Sequence, residues 1–166
     1  MLDHDAANSL ARYKTWADNL TLSAVASLPP GEASRERQTL FKSIIGTLNH
    51  SYIVDLIWQA HLEGREHGFG ARNLTLYPDL AALTEAQRTA NEWLGAWAGA
   101  QTDESLRTAV TFRLVSGNPG TMTRGEILLH IVNHATYHRG WVSDLFFQIP
   151  AKPPTTDWIV FLSAAR

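Results

Sequence analysis

The stretch Thr123–Ile149, TRGEILLHIVNHATYHRGWVSDLFFQI, decides how this chain is read. At about 100° per residue, Ile127, Ile131, His134, His138, Val142, Leu145 and Ile149 share one arc of about 80°. Thr123-Arg124-Gly125-Glu126 fits a capping box, in which a hydroxyl and a carboxylate satisfy free backbone N–H groups of the first turn. Pro150 follows, so the spacing predicts one long helix from Thr123 to about Ile149. The apolar stripe of that helix must be buried, and His134 and His138 sit in its middle. An i, i+4 pair puts two imidazoles on one face, a spacing that can chelate one ion. His130 lies roughly 80° from the centre of the stripe, and about 12 Å of helix rise separates it from His138. A flank hydrogen bond or an orienting role suits His130 better than a place in the same ligand set.

Three more segments have helical spacing. The first runs from Asp3 to Leu28 with Leu10, Tyr13, Ala17, Leu20, Ala24 and Leu28 on one stripe, and Pro29-Pro30-Gly31 stops it. The second runs from about Leu40 to Arg65. The third follows Tyr77-Pro78-Asp79 and runs to about Ala100, with Leu80, Leu83, Gln87, Ala90, Leu94 and Trp97 facing inward. Before the last helix, Leu106, Thr108, Val110, Phe112 and Leu114 alternate with more polar neighbours, which predicts a strand, and Asn118-Pro119-Gly120 reads as a turn. The tail Thr155–Leu162 is expected to pack on the bundle as a short extended or helical piece. With no repeat and no linker, residues 1–166 read as a single all-α, four-helix bundle domain with a short strand-like insert before the last helix.

Composition narrows the chemistry. The 166 residues include no cysteine, which removes disulfides, thiolate nucleophiles and cysteine metal ligands. A metal here must be held by His, Asp or Glu. A net charge of -2 with scattered Lys and Arg offers no field for nucleic acid. No apolar run approaches the ~20 residues that span a bilayer. The N-terminal residues lack the basic start and apolar run of a signal peptide. The expectation is a cytoplasmic protein with neither nucleic acid nor membrane as partner.

A tight metal site needs a third ligand from another element. The second helix carries His50 and His61 on the face of Gly46, Ile53, Val54 and Ile57, but roughly 16 Å apart along the axis, so both cannot meet one ion. His50 is mid-helix and beside a small residue. His61 lies near the helix end, and His4 and His67 read as surface positions. A lone i, i+4 histidine pair is more often structural than ligating. Three mid-helix histidines aimed at one core would otherwise each need a buried partner. Acid–base partners are sparse. Asp55 lies about 140° around its helix from His50, Glu126 belongs to the cap, and Asp144 is off the stripe; all three read as surface charges. Arg139 reads as an exposed or interhelical salt bridge, and Asn133 as a hydrogen-bonding partner for a neighbouring helix. The second helix also has a second apolar stripe, Phe41, Ile44, Leu48 and Tyr52, which calls for packing on both sides, across a dimer or within a large monomer core.

With Leu48–Trp58, LNHSYIVDLIW, and His130–Val142, HIVNHATYHRGWV, the chain resembles the DinB family of metalloenzymes over nearly its whole length. The pattern N-H-x-x-x-H-R-G is the more specific of the two. The resemblance implies an up-down-down-up four-helix bundle and a metal held by His50, His134 and His138, the trio the angular reading also favours. It implies a homodimer, and a chemistry in which distant relatives transfer low-molecular-weight thiols or isomerise thiol adducts. Trp141 stands where many members carry a smaller polar residue, which reshapes the pocket. The expected function is therefore a metal-dependent enzyme, a thiol S-transferase or a hydrolase of a small molecule. The alternative is a non-catalytic metal-binding or stress-related binding protein. Zinc or nickel is the expected divalent ion. The absence of a candidate general base leans toward thiolate activation, and no catalytic side chain is assigned.

Overall fold

Each long helix starts at a side chain that caps it. Asp3 accepts from the Ala6 N–H at 2.8 Å, Ser43 from Gly46 at 3.0 Å and Asp79 from Ala82 at 2.9 Å. Thr123 and Glu126 form the expected reciprocal box, the Thr123 N–H reaching Glu126 Oε2 at 2.7 Å and the Glu126 N–H reaching Thr123 Oγ1 at 3.2 Å. In the computed structural model, which describes residues 2–164, these caps open α1 (His4–Ala26), α2 (Ile44–Leu62), α3 (Leu80–Gly99) and α5 (Arg124–Phe146). A short α4 (Asp103–Leu106) and a hairpin, β1 (Ala109–Arg113) with β2 (Pro119–Thr123), link α3 to α5, and α6 (Trp158–Ala164) follows the last long helix.

The four long helices close a ring in the order α1, α3, α2, α5. Consecutive α1 and α2 are therefore diagonal, as are α3 and α5, and the segments that join them cross an end of the bundle. Alanines at 7, 11 and 17 are fully buried along α1 and let its neighbours come close. One core cluster joins them to Trp58, Leu94, Ile127, Leu128 and Ile131; a second, around Ile44, Val142, Leu145 and Phe146, fills the other end. At about 25 cal/mol per Å² of apolar area removed from water, such packing is the main stabilising term.

α2 is buried almost all round, by α5, by α3 and by the flanking segments 27–43 and 63–79. Both of its apolar stripes are covered within the chain, so a second copy is not required to bury them. The helix starts at Ile44 rather than Leu40 because Lys42 adopts φ 67°, a left-handed turn that breaks helical progress before the Ser43 cap. The expected single strand is a hairpin. Ala109 pairs with Thr123 and Arg113 with Pro119, and the turn lies at Leu114–Asn118 with Gly117 at φ 85°. Asn118-Pro119-Gly120 is thus not the turn; Pro119 and Gly120 begin β2, where proline is tolerated at the start of an edge strand. The tail resolves as helix, with Phe161 packed against Tyr13 and Trp16. Leu20, read as inward, is 36% exposed.

Candidate metal centre

Burial of mixed-charge residues beneath the site is the first departure from the sequence reading. Asp55 is not a surface charge. It lies in the bundle centre, where the fully buried Lys14 donates to Asp55 Oδ2 at 2.7 Å, to Asp18 Oδ2 at 2.8 Å and to Asn91 Oδ1 at 2.9 Å. Gln87 donates to Asp55 at 2.9 Å, and Arg139 pairs with Asp18 Oδ1 at 2.9 Å. Asp55 points away from His50, as its helical angle requires, but that direction faces Lys14 of α1 and Gln87 of α3 rather than solvent. Arg139 takes the interhelical form of its two expected roles. Asn133 is exposed and, among the described residues, makes no side-chain hydrogen bond, contrary to expectation.

Burial pulls the Lys14 ammonium down, but Asp18 and Asp55 outweigh it and hold it above its ordinary value. Burial likewise pushes Asp18 up, and Lys14 with Arg139 overcomes it, so that carboxyl is lowered. Burial dominates at Asp55, which is raised.

Above this layer three imidazoles meet. One nitrogen from each of His50, His134 and His138 falls within 4.8 Å of the other two. Ring centroids are 4.4 Å apart for His134 and His138, 4.6 Å for His50 and His138, and 5.2 Å for His50 and His134. Around a tetrahedral zinc with Zn–N of about 2.0–2.1 Å, nitrogens stand roughly 3.4 Å apart, inside that bound.

Local structure orients the rings. The His50 Nδ1–H donates to the Arg72 carbonyl at 2.8 Å, which fixes its tautomer and leaves Nε2 as the free lone pair. Asn49 holds the segment that brings Arg72 there: its amide donates to the Tyr77 carbonyl at 2.8 Å and its oxygen accepts from the Tyr77 N–H at 2.9 Å. Phe41 stacks on His50, centroids 4.1 Å apart and planes 17° apart. Gly46 permits that stacking, since a Cβ there would stand 2.1 Å from the Phe41 carbonyl oxygen. His138 borders a small chamber of about 20 Å³ shared with Asp18, Thr47 and Arg139, so the ring and the ion cluster have a common wall.

The electrostatics suit a cation. Burial lowers His134 to about 3, with His138, His50, His130 and Arg72 adding to the effect. Burial and then His50 lower His138 to about 4. His50 is also lowered, chiefly by burial. All three are neutral at pH 7, the form that ligates. Nδ1 of His134 and of His138 is buried with no hydrogen-bond partner among the described residues, an open lone-pair or N–H position that His61 Nε2, outside the trio, shares. The residues therefore fit a divalent ion.

The trio opens on a cleft of about 630 Å³ that Phe41, Arg72, Tyr137 and Trp141 help to wall. His130 lies on the flank, between Trp58 at 4.7 Å and His134 at 5.8 Å. His61 is elsewhere, against His67 and Phe112. Glu126 is the helix cap, and Asp144 is exposed. Asn49 and Arg72 escaped the sequence reading, and Phe41 entered it only as part of an apolar stripe; the one signal was Asn49 itself, a polar residue inside the apolar α2 and next to His50.

Comparison with known proteins agrees with this picture. A sequence model of the DinB family matches residues 1–165. The chain belongs to the DinB family. Protein DinB of Bacillus subtilis (strain 168) is 28% identical over 168 residues, covering 95% of this chain and 94% of the relative. A crystal structure of a DinB-like protein from Bacillus cereus ATCC 10987 superposes with a TM-score of 0.61 at 19% identity, over 88% of this chain and 94% of the other. The DinB fold thus accounts for the whole bundle, and the three-histidine cluster is compatible with a metal-binding protein.

Proposed function

We propose that this DinB-family chain is a metal-dependent enzyme whose ion is held by His50, His134 and His138, acting on a small molecule in the adjoining cleft as a thiol S-transferase or a hydrolase. The observation that carries the reading is the position of the trio, on the wall of an open cleft of about 630 Å³ rather than sealed in the core. A closed structural site needs no such access, whereas a catalytic one keeps a position for water or substrate. When bound, a divalent ion in this place supplies Lewis acidity that lowers the pKa of a coordinated water or thiol.

The chain's own residues then divide the remaining work. His50 is held in one tautomer by the Arg72 carbonyl. Phe41 and Trp141 exclude water from one side of the trio, Phe41 standing 5.6 Å from His138 and Trp141 5.0 Å. Among the described residues no carboxylate lines the cleft, which leaves it without a carboxylate general base. That favours a nucleophile that the ion alone activates, a thiol above all. Zinc and nickel both suit three imidazoles.

The test is a transfer screen with zinc-loaded and nickel-loaded protein, using small thiols against an electrophilic acceptor, and esters and amides in parallel. Turnover above background, reduced at least about a hundredfold in His138→Ala, is expected. Metal uptake with no turnover on either class would replace this reading with the non-catalytic one.

A further inference from the structure

The cleft beside the trio is electrostatically one-sided. Among its lining residues Arg72 alone carries a formal charge at pH 7, and none is acidic. Among the described residues the Arg72 guanidinium makes no ion pair and no hydrogen bond, and the side chain is exposed. Asp144 lies in an adjoining groove that shares Leu40 and Trp141 with the cleft and does not line the cleft itself. Three neutral imidazoles leave the charge of a divalent ion uncancelled, so with the ion bound the cleft is positive on two sides.

The backbone of Arg72 is fixed beside the trio. Its carbonyl accepts the His50 Nδ1–H at 2.8 Å, so the residue that orients a ligand ring also carries the free guanidinium. Asn49 anchors the same segment at Tyr77. Opposite in character, Phe41, Tyr137 and Trp141 offer aromatic surface.

We infer that the cleft selects a small thiol bearing a carboxylate, with Arg72 holding the carboxylate and the aromatic side chains covering an apolar body. The inference rests on the proposed metal site and adds to it the substrate's charge. A planar guanidinium matches a carboxylate through two parallel N–H···O bonds, which an ammonium cannot reproduce. Because Arg72 is exposed before binding, little desolvation opposes the pairing, and the ligand's own body then shields it from solvent.

The experiment is calorimetric titration of the zinc-loaded protein with 4-(mercaptomethyl)benzoate and with its carboxamide, in wild type, Arg72→Gln and Arg72→Lys. Zinc content and melting temperature of each variant confirm that the fold and the centre persist. Wild type should bind the carboxylate at least about tenfold more tightly than the amide, as a charged hydrogen-bonded pair requires. Arg72→Gln should bring the two affinities together while leaving the amide unchanged, and Arg72→Lys should keep part of the preference. A zinc-loaded protein that binds neither compound, shows no preference, or keeps its preference in Arg72→Gln overturns the inference alone. A protein that takes up no zinc overturns the metal site and this inference with it.

Discussion

His50 is constrained from three directions: Phe41 lies on its face, the Arg72 carbonyl takes its Nδ1–H, and His138 meets it edge-on at 4.6 Å. Such support holds the ring in one orientation with Nε2 free. Asn49 is the residue on which this depends at one remove. Asn49→Ala should destabilise the protein by about 2–4 kcal/mol, because it leaves the Tyr77 backbone groups unpaired, each costing about 1–3 kcal/mol where buried. It should also weaken metal affinity about 10- to 100-fold by freeing the segment that orients His50. Urea denaturation and competitive metal titration measure the two effects. A variant with normal metal affinity would show that His50 does not need that segment. The imidazoles also set a pH response. In the metal-free protein His134 and His138 are held far below the ordinary 6.5, so the folded state binds fewer protons than the unfolded one in acid. Their contribution is complete above pH 6.5 and is lost as pH falls toward about 4 for His138 and about 3 for His134. Urea midpoints should decline across that window, and less steeply in His134→Leu; equal slopes would contradict the buried neutral state.

At the scale of elements, α5 was legible because its 3.6-residue period, its capping box and its histidines agree with one another. The inner stripe of α3 was legible for the same reason, Leu83, Gln87, Ala90 and Leu94 all being buried. The start of α2 was not, because Phe41 fits the apolar pattern while Lys42 takes a positive φ that no side-chain period reveals. β2 was hidden by Pro119-Gly120, a pair that reads as a turn and here starts an edge strand. The ion cluster was hidden for a different reason: Lys14 and Asp55 look like surface charges until α1, α2 and α3 are placed together. The Phe41–Gly46 approach is testable at this scale. Gly46→Ala should push the Phe41 backbone away and cost about 1–3 kcal/mol as an overpacked contact. With the stacking lost, the accessibility of His50 to diethyl pyrocarbonate should rise in the metal-free protein. Unchanged modification would mean that Phe41 does not shield the ring.

For the molecule as a whole, the helix order α1, α3, α2, α5 gathers two adjoining centres, a buried ion cluster and a histidine cluster beside an open cleft. α1 and α2 are diagonal, and the Lys14–Asp55 pair at 2.7 Å ties them across the centre. Removing one partner strands the others, so Lys14→Met should destabilise by about 3–5 kcal/mol, and pairing it with Asp55→Asn should recover part of the loss. Thermal unfolding of the two variants checks this. No helix among the described residues is long and apolar enough to cross a membrane. Helical angle and family resemblance both pointed to the histidine trio, and the fold brings its rings together; the cation of the cleft, Arg72, needed the fold, because the segment that presents it has no period to read. The most direct test is metal content, measured by mass spectrometry after dialysis against zinc or nickel. The account predicts one ion per chain in wild type and near none in His50→Ala, His134→Ala or His138→Ala. A wild type free of metal, or an ion retained by all three variants, would contradict it.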